Sequence, residues 1–295
     1  MSTTPPTSGI SSKRGHKKEP LVQPFVKWVG GKRQLLLAIR PLLPIFTGRY
    51  YEPFIGGGAV LFDTQPSFAV VNDFNEELIN CYLVVQNSPD DLLAACLLHA
   101  NTSEHFYEVR EWDRNHKFKL KSPVERAVRI LYLNKTCFNG LFRVNSQGQF
   151  NVPFGSYKNP VIAEPTVIRA VSRYLNNAHI DFRNGDFAAA VWDAGQDDFV
   201  YFDPPYDPVS DTSSFTGYSL DGFSREEQRR LKEVCDDLTL RGVKVLLSNS
   251  DTPFIRELYS GEQYRIQTVQ ARRNINSDPT GRGKIDEVFV LNYTP

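Results

Sequence analysis

Asp203-Pro204-Pro205-Tyr206 directly follows the apolar run Phe199–Phe202. Proline fixes φ and has no N–H, so two in succession end a strand and hold a rigid turn at its carboxyl edge. The turn gathers a carboxylate, a proline carbonyl and an aromatic face at one point. That set suits an amino group on a heteroaromatic ring, whose lone pair is delocalised into the ring. Accepting both N–H protons, through the Asp203 carboxylate and the Pro204 carbonyl, favours a pyramidal nitrogen able to attack a methyl sulfonium. Tyr206 is placed to stack on the ring, which in a duplex must first be swung out of the helix. Such a turn can arise by chance, and the segments upstream give it weight.

Phe54-Ile55-Gly56-Gly57-Gly58 lies between a strand-like run, Arg49 to Phe54, and a short helical pattern, Ala59 to Asp63. Glycines there allow a sharp turn and the close approach of a ligand, although the spacing is not the dinucleotide GxGxxG. Asp73 ends the next strand-like run, Phe68 to Val71. It is expected either to accept hydrogen bonds from ribose hydroxyls or to cap the helix near Asn75. Lys27-Trp28-Val29-Gly30-Gly31-Lys32 lacks the phosphate-loop spacing. Trp28 reads as core or as a wall of a cofactor pocket, and Lys32 as a donor.

These residues need a scaffold that brings strand ends together. Strand-like runs recur at His179 to Phe182, Phe199 to Phe202, Val243 to Ser248, Tyr264 to Val269 and Glu287 to Leu291. Helical periodicity covers Arg33 to Leu43, with a kink at Pro41, then Asn75 to Val85 and Glu226 to Leu240. The alternation predicts an α/β fold with a seven-stranded, largely parallel sheet. It is interrupted by helical patterns at Pro89 to His99, Ser103 to His116, Pro123 to Cys137 and Pro165 to Tyr174. Between the last two, Phe138 to Pro160 reads as one long irregular loop, a kind of segment that often carries function. The division expected is a disordered basic tail over 1–20, a catalytic domain over 21–86 and 179–295, and an inserted domain over 87–178.

The 295 residues are 41% hydrophobic and 23% charged, with 34 basic and 34 acidic side chains, an ordinary globular balance of zero net charge. The distribution is uneven. Lys121 to Asn145 carries five cations against Glu125 alone, and Arg272 to Lys284 carries four against Asp278. Two such segments either form one face for phosphates or belong to solvated helices. The four cysteines, Cys81, Cys96, Cys137 and Cys235, are scattered, so neither a disulfide framework nor a zinc site is expected. No histidine has triad or metal-ligand spacing, and no metal is expected. With no apolar run long enough for a membrane span and no signal-peptide pattern, the expectation is a cytoplasmic protein without a membrane partner.

In combination these segments resemble the Dam-type, α-class DNA adenine-N6 methyltransferases, most closely their DpnII A branch. The resemblance rests on KWVGGKRQLL, EPFIGGGAVLF, NDFNEELIN, FNGLFRVNSQGQFNVPFGSYKNP, GDF, YFDPPY, LSNS and a late RGK, spread from about Pro24 to Tyr293. It implies a Rossmann-like methyltransferase sheet with an inserted, mainly helical target-recognition domain, and S-adenosylmethionine as donor, leaving S-adenosylhomocysteine. It also implies catalysis at Asp203, Pro204, Pro205 and Tyr206. Cofactor contacts are implied at Trp28, Lys32, Phe54, Gly56, Gly58, Asp73, Asp186 and Asp203. Duplex DNA, read at GATC, is the implied substrate. Its contacts are expected at Phe138, Asn139, Leu141, Arg143, Asn145 and Tyr157, with Arg143 the natural reader of a guanine edge. Gly155-Ser156-Tyr157 departs from the Gly-Arg-Tyr common in the family, which removes one phosphate or base contact that the family pattern implies. N4 of cytosine and adenine in RNA present the same chemical problem. A monomer or weak dimer is expected, alone or beside a separately acting restriction endonuclease.

Overall fold

Residues 18–209, 223–272 and 284–295 are described by the structure, a computed structural model. The tail assigned to residues 1–20 therefore falls almost wholly outside the described residues, as does most of the basic segment Arg272 to Lys284.

Seven strands form one sheet: β1 (Tyr50–Glu52), β2 (Phe68–Asp73), β3 (His179–Asn184), β4 (Phe199–Phe202), β5 (Lys244–Ser250), β6 (Arg265–Arg272) and β7 (Lys284–Leu291). Their order is β3-β2-β1-β4-β5-β7-β6. The first five are mutually parallel, and β7 runs antiparallel between β5 and β6. This is a mixed α/β architecture with the predicted seven strands, consistent with an S-adenosylmethionine-dependent methyltransferase fold.

Strand side chains alternate between faces, and the buried residues sort accordingly. Tyr50, Val71, Tyr201, Leu246 and Phe289 join one apolar cluster, while Tyr51, Val70, Phe202, Leu247 and Val290 join the other. Short α1 (Leu36–Ile39) and α2 (Ala59–Thr64) cover the first face together with α3 (Glu76–Asn87), α4 (Pro89–Cys96), α5 (Ser103–Arg110), α6 (Pro123–Thr136) and α7 (Pro165–Asn177). The second face is covered by α8 (Phe187–Ala190), α9 (Arg225–Leu240) and α10 (Pro253–Leu258). The helices between β2 and β3 thus share one continuous core with the sheet. Ser172 Oγ and Asn176 Nδ2 on α7 both donate to the Gln86 carbonyl on α3, and Tyr174 Oη donates to the Pro66 carbonyl beside β2.

Three local expectations need correction. Arg33 to Leu43 is not one kinked helix. It is a 3-10 turn (Lys32–Gln34), the single turn of α1 and a second 3-10 turn (Arg40–Leu42) that contains Pro41. Ser103 to His116 is helical only to Arg110, after which 3-10 turns take over at Glu111–Arg114 and His116–Leu120. Phe138 to Pro160 is a folded-back turn rather than an irregular loop, with antiparallel bridges Cys137↔Phe154 and Val144↔Phe150.

Candidate active site

Between β1 and β4 the strand order reverses, the place at which sheets of this kind bind ligands outside their carboxyl ends. The glycine loop leaves β1 there, and Asp203-Pro204-Pro205-Tyr206 leaves β4. Gly56 (φ +49°) and Gly58 (φ +69°) occupy left-handed backbone, and each is also crowded. A Cβ on Gly56 would sit 2.9 Å from Trp28 Cδ1, and one on Gly58 would sit 2.7 Å from Tyr82 Oη. Tyr82 Oη in turn donates to the Gly56 carbonyl at 2.8 Å.

The neighbouring strand ends are tied to this loop. Asp73, buried at the end of β2, accepts from the Gly56 N–H at 3.1 Å and from the Asn75 N–H at 3.0 Å. Burial pushes its carboxyl up to about 6, against the pull of those two amides. The two roles weighed for Asp73 overlap: it braces the loop and the entry to α3, while Asn75 itself caps that helix. Asn72 Nδ2 reaches the carbonyls of Pro53 and Gly185, joining the ends of β1, β2 and β3. Asp186 caps α8 through the Ala188 N–H and pairs with Arg230. Phe54 stacks on Phe187 with centroids 5.4 Å apart, and Phe74, beside Asp73, is 77% exposed.

Lys32, expected as a donor, also pairs with the catalytic carboxylate. It is buried, and its Nζ lies 2.7 Å from Asp203 Oδ1, 2.7 Å from the Gly30 carbonyl and 4.5 Å from the centre of the Tyr206 ring. The contact with Asp203 has an ion pair's distance without the alignment of a hydrogen bond, so Oδ1 is a buried acceptor lacking an aligned donor. Burial raises the Asp203 carboxyl to about 6, Lys32 opposes that rise, and Glu287 adds to it. Tyr206 Oη donates to Glu287 Oε2 at 2.7 Å, which anchors the tip of the ring.

The turn is held from behind. Gln228 Nε2 donates to the Pro205 carbonyl at 2.9 Å, and Asn249 Oδ1 accepts the Asp207 N–H at 3.0 Å. The buried Asp207 carboxylate takes Arg225 Nε and Thr252 Oγ1. Glu52, at the end of β1, is buried as well. It accepts from Tyr50 Oη at 2.8 Å and the Leu61 N–H at 3.0 Å, and burial pushes its carboxyl up to about 8.

The residues expected at DNA lie on the folded-back turn after α6. Asn139 (φ +56°) and Gly140 (φ +64°) turn the chain, leaving Phe138 53% exposed and Leu141 half-buried. Arg143 is exposed and donates from Nε to Asn151 Oδ1. The Asn145 side chain is spent on the turn itself, accepting from the Gln147 and Gln149 N–H groups. Tyr157 is half-buried under Lys27 Nζ, 5.3 Å from its ring centre. Trp28 joins the two halves. It packs on the glycine loop and stacks on Phe142 at 4.6 Å, so it is a core residue bordering both.

The basic segment Lys121 to Asn145 does not stand as a free cationic face. Lys121 pairs with Glu125, Arg126 with Glu76 and Glu77, and buried Arg129 with Asp113. Lys135, half-buried, is lowered by burial and by the nearby charges of Lys27 and Arg33. It is therefore part of a small like-charged group beneath the turn.

Glu52, Asn72, Phe74, Asp207 and Glu287 escaped the sequence reading. The available signal was a polar or acidic residue near the end of an otherwise apolar strand for Glu52 and Asn72, and an acidic residue directly before an apolar run for Glu287. The others carried none. Among the described residues, no group of three or more His, Cys, Asp or Glu side chains is arranged to hold a metal. No helix among them is long and apolar enough to cross a membrane.

A glycine loop and an Asp-Pro-Pro-Tyr turn on neighbouring strand ends of such a sheet mark the methyltransferases that act on amino groups. A family model described as the D12 class N6 adenine-specific DNA methyltransferases matches residues 28–275, and the chain belongs to that family. A Type II methyltransferase of Lactococcus lactis subsp. cremoris, M1.LlaDCHI, is 47% identical over 274 residues, 92% of this chain and 96% of its own. The Type II methyltransferase M.MjaIII of Methanocaldococcus jannaschii is 40% identical over 292 residues, 92% of this chain and 99% of its own. The DNA adenine methylase of Escherichia coli (strain K12) is 38% identical over 276 residues, 92% of this chain and 95% of its own. The protein is accordingly a DNA adenine-N6 methyltransferase, with S-adenosylmethionine as the methyl donor that the family implies.

Proposed function

We propose that the protein methylates the adenine of GATC in duplex DNA, taking the base out of the helix and transferring the methyl group directly. The observation that carries the chemistry is the Asp203 carboxylate: charged beside Lys32, with a buried oxygen that lacks an aligned donor. An adenine N6–H supplies that donor. The Pro204 carbonyl accepts the second N–H, and Tyr206, held by Glu287, offers its face to the ring. Holding both protons localises the N6 lone pair and aims it. S-adenosylmethionine, when bound, would supply an electrophilic methyl group and leave as S-adenosylhomocysteine as its sulfur–methyl bond breaks, and the N6 proton released on C–N bond formation passes to Asp203 or water. Positioning and electrostatics account for the rate, with no covalent enzyme intermediate.

Donor binding is assigned to the crevice bounded by the Phe54–Gly58 loop, Asp73, Asp186 and Lys32, with exposed Phe74 adding an aromatic face for the adenosyl ring. Site reading is assigned to the turn carrying Phe138, Asn139, Leu141, Arg143, Asn145 and Tyr157. The Lys27, Arg33 and Lys135 group beneath it suits backbone phosphates. Residues 87–178 would then act as a recognition unit although they share the core of the sheet. The match of the reading loop to the Dam-type pattern, closest in the DpnII A branch, is the basis for GATC. The Type II names of two relatives support a restriction-modification setting with a separate endonuclease.

The test is transfer from labelled S-adenosylmethionine into two duplexes, one holding a single GATC and one with it scrambled, followed by nucleoside analysis. N6-methyladenine in the first alone is the expected result. Equal label in both would remove the assigned site.

A further inference from the structure

The hairpin that carries Arg143 makes very few bonds of its own. Its arms meet at Val144↔Phe150, flanked by Asn145 N–H to the Gln149 carbonyl (2.9 Å) and Asn151 N–H to the Arg143 carbonyl (3.0 Å). In this register Val144 and Phe150 are a non-hydrogen-bonded pair, so the amide groups of Phe150 point away from its partner arm. A two-stranded ribbon of this size is marginal in water.

Both outward groups are nevertheless satisfied. The Phe150 N–H donates to Asp113 Oδ2 at 2.8 Å, and Arg114 Nη2 donates to the Phe150 carbonyl at 2.8 Å. Two successive side chains of the 3-10 turn Glu111–Arg114 thus do what the backbone of a third strand would do. They are fixed in turn by Arg129 on α6. Its buried guanidinium lies 2.7 Å from Asp113 Oδ2 and donates to the carbonyls of Val109 and Arg110 at 3.0 and 2.8 Å. Arg114 pairs with Asp113 and Glu111 and donates to the Arg110 carbonyl at 2.8 Å. The Phe118 ring closes the far side, 5.1 Å from the Arg129 guanidinium carbon.

A buried ionic cluster contributes little net stability compared with apolar side chains of similar volume, and fixing register is its best-attested use. Here every bond that the cluster makes to the hairpin reaches one residue, Phe150, seven positions from Arg143. A bidentate contact with a base edge tolerates little displacement of its guanidinium. We propose that Asp113, Arg114 and Arg129 form a positioning unit for site recognition. They set the register of the hairpin, and hence the place of Arg143, from outside any contact with DNA. The inference rests on the hairpin being the reader of the target site.

The experiment compares kcat/KM on a GATC duplex and on duplexes with one base pair changed, for the whole protein and its Arg114→Met, Asp113→Asn and Arg114→Lys variants. KM for S-adenosylmethionine and the melting temperature are measured alongside, with Arg143→Ala as the reference. Arg114 is partly exposed, so its replacement leaves the core packed. Arg114→Met and Asp113→Asn are expected to cut the cognate preference about tenfold, within the usual worth of one base contact. KM for the donor should stay unchanged, and Arg114→Lys should recover part of the preference. A lowered melting temperature with the preference intact in both variants, while Arg143→Ala loses it, would overturn the positioning role alone. Preference intact in Arg143→Ala as well would overturn the reading of the hairpin, and the inference with it.

Discussion

Replacing Lys32 with glutamine isolates what the buried ion pair does. Asp203 must be ionised to accept the N6–H, and burial works against that, holding its carboxyl at about 6 even with Lys32 at 2.7 Å. An opposite charge this close depresses a carboxyl by ~1–3, so Lys32→Gln should carry Asp203 to roughly 7–9. For a shift of ~2, the ionised fraction at pH ~7.5 falls from about 97% to about 24%, a loss of about fourfold, and it is restored near pH ~9.5. The sign is unambiguous: removing the cation moves the acid limb of the rate to higher pH. The pH profile of kcat/KM for the duplex, which reports the free enzyme's groups, should therefore rise through a midpoint near pH 6 in the wild type and at least ~1 higher in the variant. A uniform loss at every pH, with the limb unmoved, would refute the electrostatic account and leave Lys32 a role in donor binding only.

Asp203→Ala should abolish transfer in a protein that still folds, as read by circular dichroism; measurable turnover would remove this carboxylate from the mechanism. Arg143→Ala should relax discrimination at one base pair by ~1–3 kcal/mol, read from kcat/KM on substituted duplexes, and an equal loss on all sequences would make it a phosphate contact. Glu52, at about 8, is protonated in the fold at neutral pH but ionised when unfolded. Stability is thus lost as pH rises between the two values, by up to ~1.4 kcal/mol per pH unit. Glu52→Gln keeps an acceptor for the Leu61 N–H and should flatten that dependence in thermal melts from pH ~5.5 to ~8.5. Gly58→Ala adds a Cβ 2.7 Å from Tyr82 Oη at a left-handed position. It should cost ~1–3 kcal/mol in stability and weaken donor binding, measured by calorimetry.

The catalytic turn and strands β2, β4 and β5 were legible because each of those strands is an apolar run followed within a few residues by an Asp, signals confined to near neighbours in the chain. What escaped was decided over long sequence separations. The cations of Lys121 to Asn145 left a phosphate-binding face and solvated helices undivided because their partners, Glu76, Glu77 and Asp113, come earlier in the chain. The turn from Phe138 to Pro160 read as irregular because its order comes from bridges and from side chains some 37 positions away, as at Phe150 and Asp113. Lys32 was legible as a donor, but its burial against Asp203 depends on Gly30, Tyr206 and the sheet order together.

One short stretch, Lys27 to Lys32, touches both ends of the reaction. Lys27 exchanges two hydrogen bonds between its backbone and the Asn134 side chain, and Asn134 also holds the Gly140 carbonyl beneath the reading turn. Five residues later Lys32 meets Asp203. On the proposed reading of the turn, its displacement by DNA would be passed along this segment to Lys32, coupling the two sites. Thermodynamic linkage then makes the effect mutual: whatever factor a correct duplex adds to donor affinity, the donor returns to the affinity for that duplex. Sequence error would on this basis be expressed in the chemical step and in donor retention as well as in DNA binding, giving a second point at which a wrong site is refused.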